Sequence, residues 1–238
     1  SSYGWQKDNG LGSSWQSWMW KRNAGMEVVS YQGDNNSAKA HSLGKAPEMM
    51  WVKASLGSGA QNQQWKVYHK GLNGGTNPEG YYMRLDAGAE GSSSNTWNNT
   101  APSASHFFVS RDGNDGETNY SGFRFIAFLF ASVNGISKVG SYTGSSSELT
   151  ITTGFQPRFV IIKNRTNSAG NWTTGWFVFD TRRGWAAGNN DKRMRLNDTA
   201  AQSTEDWTNP ISTGFTINDA GGNVLNNNGE GYIYYAHA

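Results

Sequence analysis

The sequence repeats itself at an interval of about 110 residues, which limits the chain to folds that can be built twice and joined. Ser30-Tyr31-Gln32-Gly33 returns as Ser141-Tyr142-Thr143-Gly144, 111 residues later. Met49-Met50-Trp51-Val52-Lys53, with Gly44 and Pro47 before it, returns as Phe159-Val160-Ile161-Ile162-Lys163, with Gly154 and Pro157 before it, at a shift of 110. Trp65-Lys66-Val67-Tyr68 matches Trp176-Phe177-Val178-Phe179 and Met83-Arg84-Leu85-Asp86 matches Met194-Arg195-Leu196-Asn197, both at 111. Trp97 then pairs with Trp207, Phe107 and Val109 with Phe215 and Ile217, and Gly122-Phe123 with Gly231-Tyr232 at 109. Trp18-Met19-Trp20 precedes Phe128-Leu129-Phe130 by 110, so residues 1–26 read as the end strand of a preceding repeat or a linker. Residues 27–137 read as the first β repeat and 138–238 as the second.

The local pattern is β almost throughout. The repeated runs are short, β-branched or aromatic, and bounded by Gly, Asn, Ser or Pro. Leu149-Thr150-Ile151-Thr152 and Phe215-Thr216-Ile217-Asn218 alternate apolar with polar, as a strand with one wet face does. Asn73-Gly74-Gly75, Asn134-Gly135 and Asn228-Gly229 supply tight turns. Only Thr199-Ala200-Ala201-Gln202 and the stretch from Ala87 to Glu90 suit a helical turn. The expected fold is all-β: two tandem antiparallel β-sandwich, jelly-roll-like repeats.

Composition narrows the function classes. Charged residues are 16% and aromatics 13%, which excludes a disordered tail and a coiled coil. A net charge of +2 without a basic cluster argues against nucleic acid as a partner. The absence of Cys removes disulfides and Cys-based zinc sites. The longest apolar run, 125–131, is far shorter than the roughly 20 residues of a spanning helix, so no membrane insertion is expected. The opening Ser-Ser-Tyr-Gly-Trp shows no signal peptide and reads as a fragment or a processed chain.

No nucleophile elbow, phosphate loop, paired-His zinc motif or dinucleotide fingerprint occurs, and no enzyme activity, cofactor or metal is expected. His41, His69, His106 and His237 have no counterparts in the other repeat. Asp112, Asn114 and Asp115 offer oxygens and sharp turns in the manner of a calcium loop, without the distal Glu, which fits a polar hairpin tip better. Glu48, Asp180, Glu205 and Asp206 are acids from which nothing selects a hydrolytic pair. What remains is Trp and Tyr interleaved with Asn, Gly and Ser, suited to stacking on sugars or to adaptable protein contacts. Trp51, Trp65, Trp97, Trp176 and Trp207 fall at repeat-matched positions and read as core. Trp172 and Trp185 lack aromatic counterparts and, with Tyr81 and Tyr82, are the candidate ligand contacts.

His41-Ser42-Leu43-Gly44-Lys45-Ala46-Pro47-Glu48-Met49-Met50-Trp51-Val52-Lys53, Trp65-Lys66-Val67-Tyr68-His69, Trp97-Asn98-Asn99-Thr100-Ala101-Pro102 and Ser137-Lys138-Val139-Gly140-Ser141-Tyr142-Thr143-Gly144, in that order, resemble a known domain. It is the Trp- and Gly-rich tandem repeat of structural and tail-fibre-like proteins from marine and cyanobacterial tailed phages. The resemblance runs over residues 18–238 and implies a virion protein in a tail fibre or similar exposed appendage. It carries no catalytic motif. The implied partners are a host cell-surface glycan or protein and other virion subunits, in a homo-oligomer for which a trimer is the expected number. A purely architectural capsid decoration or adaptor is the alternative role, and a polysaccharide depolymerase a third. The longer Gln61-Asn62-Gln63-Gln64 and Thr166–Thr174 segments depart from the repeat and would be the variable loops.

Overall fold

Short apolar runs closed off by Gly, Asn and Ser become antiparallel strands. The structure, a computed structural model, describes residues 17–22, 24–34, 36–57, 64–86, 88–110, 118–145, 147–167, 174–188, 191–218 and 224–238. These residues carry β1 (Met26–Gln32), β2 (Ala38–Ala40), β3 (Met49–Leu56), β4 (Lys66–His69), β5 (Tyr81–Arg84), β6 (Gly91–Ser92), β7 (His106–Phe108) and β8 (Arg124–Phe130). The second half carries β9 (Ser137–Thr143), β10 (Leu149–Thr152), β11 (Phe159–Asn164), β12 (Trp176–Asp180), β13 (Asp191–Arg195), β14 (Ser203–Glu205), β15 (Thr208–Ile211), β16 (Gly214–Ile217) and β17 (Gly231–His237). The fold is all-β and sandwich-like, and no α-helix occurs among the described residues.

Two six-stranded sheets dominate, ordered β1-β8-β3-β4-β5-β6 and β14-β13-β12-β11-β17-β9. Read from its first strand, the second has the order of the first. Each half adds a small sheet, β2-β7 in one and β10-β16-β15 in the other. Because β4, β5 and β6 continue the large sheet as a meander, each half has unequal layers rather than the balanced sheets of a jelly roll.

Alternate residues of a strand face opposite ways, and here both directions are buried. Met49 and Trp51 of β3 enter one core, while Met50, Val52 and Ala54 enter another against the small sheet. In β11, Phe159 and Ile161 enter the first core, and Val160 and Ile162 pack against the β10-β16-β15 sheet. The first core draws on both large sheets, so the two halves stack face to face in four layers as one body. That double burial is why the repeated runs are continuously apolar instead of alternating.

The register shows where the sequence match slips. Met49 pairs with Phe130, whereas Phe159, its counterpart, pairs with His237, a shift of 107 between the last strands. The counterpart of Tyr232 is therefore Phe125 and not Phe123. The side chains agree: Tyr31 stacks on Phe125 with centroids 5.2 Å apart, and Tyr142 on Tyr232 at 4.8 Å. A slip of two residues preserves which face each side chain occupies, so the apolar pattern could not detect it.

Two further expectations change. Thr199–Gln202 forms no helical turn; short 3₁₀ turns are found instead at Leu72–Gly75, Pro78–Gly80 and Thr181–Arg183, among others, the last of these three capped by the Asp180 carboxylate accepting from the Arg182 amide. Residues 17–22 form no strand, and Trp18 and Trp20 pack onto the shared core instead.

The repeat also hides an exchange of roles. The ammonium of buried Lys66 sits 4.1 Å from the Tyr82 ring centre. Their counterparts 111 residues on, Phe177 and Arg193, hold ring and cation the other way round, 5.2 Å apart, with Arg193 also 4.4 Å from the Trp207 ring. Both halves thus bury one cation over a ring on the same two neighbouring strands, an interaction worth about 2 kcal/mol when desolvated.

Where the halves meet, approach is close enough to require glycine. A Cβ on Gly71 would lie 2.8 Å from the Ser141 Cβ and 3.1 Å from Ile233. Gly71 donates its amide to Nδ1 of fully buried His69 at 2.9 Å, which leaves the proton on Nε2 to bond the Tyr234 carbonyl at 3.2 Å. Trp176 donates its indole N–H to the Arg84 carbonyl at 3.0 Å, and Arg165 pairs with Glu90. Burial holds His69 neutral, pushing its pKa down to about 4; nearby Lys70 and Arg165 act in the same sense, and the Tyr234 bond and Glu48 oppose it.

Two tests follow from these contacts. Lys66→Phe alone is expected to destabilise the protein, and adding Tyr82→Arg, which reproduces the second half's arrangement, to recover about 1–2 kcal/mol in a double-mutant cycle read by urea unfolding. For His69, the folded value lies below the unfolded one of about 6.5, so the unfolded chain takes the proton first. The stabilisation is complete above that pH and is lost as pH falls toward 4. Asp191, pushed up to about 6 by burial, acts oppositely over the same range, so the effect is read as a difference between wild type and His69→Gln. The advantage of wild type over the variant is expected to shrink by about 2.5 kcal/mol between pH 7.5 and 4.5.

Candidate functional site

The shared core is not closed all round, and half-buried aromatic rings gather at its open side. Where the Gly71 side of the stack is tight, the opposite side is wedged by residues 18–20. Trp18 and Trp20 alternate inward and rest on Phe159, each with centroids 5.7 Å away, while Trp20 also meets Phe130 edge-on at 6.0 Å. Met19, between them, points out and is 71% exposed. The Trp18 indole N–H donates to the Asp180 carboxylate at 3.0 Å, which fixes the ledge to the second half.

Two clefts flank this ledge. One, of about 470 Å³, is lined by Trp18, Met19, Trp20, Met26, Trp51, Phe128 and Phe130. The other, of about 230 Å³, shares the ledge and is closed by Arg158, Phe159, Asp180, Arg182 and His237. One side therefore offers aromatic faces and edges, and the other a carboxylate, two guanidiniums and an imidazole. Burial and the Arg158 charge hold His237 below the usual imidazole range, so at neutral pH it serves as a neutral hydrogen-bonding group. Further along the first sheet a groove of about 410 Å³ runs past Lys53, Ser55, Leu56, Trp65 and Ile126, with the Trp65 ring stacked on Phe128 at 5.4 Å.

Such a surface can bind without doing chemistry: rings stack on apolar faces while fixed charges orient hydroxyls or amides. The chain belongs to the family described as domain of unknown function DUF7483, which it matches over residues 2–238. No curated protein and no solved structure matches it. The family's unit thus takes in the leader and both halves, the same set of residues that build the shared core and the ledge.

The residues singled out in the sequence are placed differently within this family unit. Trp185 is 1% exposed, donates its indole N–H to the Thr208 carbonyl at 3.0 Å and packs against Phe179 and Phe215. It is a core residue of the second half and not a ligand contact; the lack of an aromatic counterpart reflects a core filled differently in the two halves. Tyr82 is half-buried with Lys66 and Arg84 over its ring. Tyr81 is half-buried against the shared core, and its carbonyl accepts the Trp97 indole N–H. Trp172, Asp112, Asn114 and Asp115 lie outside the described residues.

The acids do not converge. Glu48 takes the Lys70 ammonium and the Ser132 amide, Glu205 pairs with Arg193, and Asp206 accepts from Asn218. Among the described residues no group of three or more His, Asp or Glu side chains gathers as a metal site would require. The ledge itself was missed because Trp18-Met19-Trp20 matches a strand in the other repeat unit. The signal present was an apolar triplet whose middle residue is a flexible, exposed Met.

Proposed function

We propose that the chain is a non-catalytic structural module of a tailed-phage particle, placed in a tail fibre or similar exposed appendage, which binds a host-surface glycan or protein at the Trp18-Met19-Trp20 ledge. The reading is supported by the order of Trp- and Gly-rich phrases, which resembles that of phage appendage repeats. The single observation that carries the binding role is the ledge: aromatic rings on one side, and Arg158, Asp180 and Arg182 on the other, around the exposed Met19. A sugar ring would lay its C–H face on the aromatic side and turn its hydroxyls to the charged cleft.

An architectural role is the second reading, and one observation favours it: the open apolar groove beside Trp65, on a sheet face rather than a loop.

The test is saturation binding of the purified chain to host cells and to their extracted surface polysaccharide. Met19→Asp and Arg182→Ala alter exposed side chains and leave the core intact. Each is expected to weaken binding by about tenfold, a loss of about 1.4 kcal/mol, with thermal unfolding unchanged. Unchanged affinity in both variants, or no binding by wild type, would remove the ledge as the receptor site.

A further inference from the structure

The two halves bury the same patch to very different degrees. By strand register, Val28, Lys53, Trp65, Ile126 and Phe128 of the first half correspond to Val139, Lys163, Trp176, Ile233 and Tyr235 of the second. All five in the second half are buried, Trp176 to 2% exposure and Lys163 completely. All five in the first half are partly open, and beside them Leu56 is 63% exposed.

The first half covers the patch of the second with the Gly71–Leu72 turn, the Arg84 carbonyl and Glu90, which meet Ile233, Trp176 and Arg165. The second half does not return the cover: its counterpart of buried Leu72 is Arg183, and on that side Trp20 packs on Phe159 instead.

We propose that the open strip along β3, β4 and β8, from Val28 across Lys53, Leu56, Trp65 and Ile126, docks a second copy of this chain. The chain already contains one solution for this patch, and that solution is another sheet of its own kind laid on it. Packing sheet on sheet needs a flat apolar face, which Trp65 stacked on Phe128 supplies. The Lys53 charge within the strip has a precedent for burial: its counterpart Lys163 donates its ammonium to the Asn164 carbonyl at 2.8 Å. Strips of this kind on a sheet face mark protein interfaces. The inference rests on no part of the receptor reading, and it is measured with the purified chain alone.

The experiment is sedimentation of the full chain across the micromolar range, for wild type, Leu56→Arg and Ile126→Lys. Leu56 is exposed enough for its replacement to leave folding intact, which circular dichroism and thermal unfolding check. Wild type is expected to associate, and each variant to weaken association at least about tenfold. A wild type that stays monomeric up to about 200 µM overturns the proposal, as does an oligomer that both variants leave intact; at that concentration only dissociation constants well above the usual range for specific assemblies would escape notice.

Discussion

Everything in this molecule depends on two twisted six-stranded sheets laid face to face across Met49, Trp51, Phe159 and Ile161. Because a small sheet covers the other side of each, the central strands are buried on both faces over most of their length. A polar group there costs stability unless it is bonded or shifted in pKa. Lys66 and Arg193 are held over rings, and buried Lys163 is pushed down to about 7 by desolvation alone. Asp191 is raised to about 6 for the same reason. The interior thus accepts ionisable groups at a cost in stability, offset by a larger apolar core than either half could form.

The stack is also asymmetric, and the surface chemistry follows from that. Gly71 lets the halves approach closely on one side, where His69, Trp176 and Glu90 cross the interface. On the other side Trp18 and Trp20 fill the gap, leaving Met19 exposed between an aromatic and a charged cleft. The same asymmetry leaves Trp65 and Phe128 open where Trp176 and Tyr235 are sealed. Both the ledge and the strip are consequences of joining two similar sheets imperfectly.

Much of the fold was legible in the residues, because strand length, turn chemistry and apolar runs all pointed the same way. Lys53 and Lys163, or Trp65 and Trp176, stand at corresponding places in both halves, as their spacing indicates. The last strand was misaligned by two residues because side-chain direction repeats every two. Lys66 with Tyr82 and Phe177 with Arg193 could not be matched residue by residue, since what recurs there is the contact and not the residue type. The site was less legible. Trp185 stood out by lacking a counterpart, yet packing consumes it; Trp18 looked like a strand residue, yet it is the wedge. Exposure depends on how the halves stack, and no local pattern encodes that.

The shared core makes the two halves one cooperative unit. Differential scanning calorimetry of the whole chain, with the calorimetric enthalpy compared with the van't Hoff enthalpy, tests it most directly. A single transition is expected in which the two enthalpies agree, with Trp51→Ala lowering its midpoint without splitting it. Two resolved transitions, or a calorimetric enthalpy about twice the van't Hoff value, would show that the halves fold independently and would contradict it.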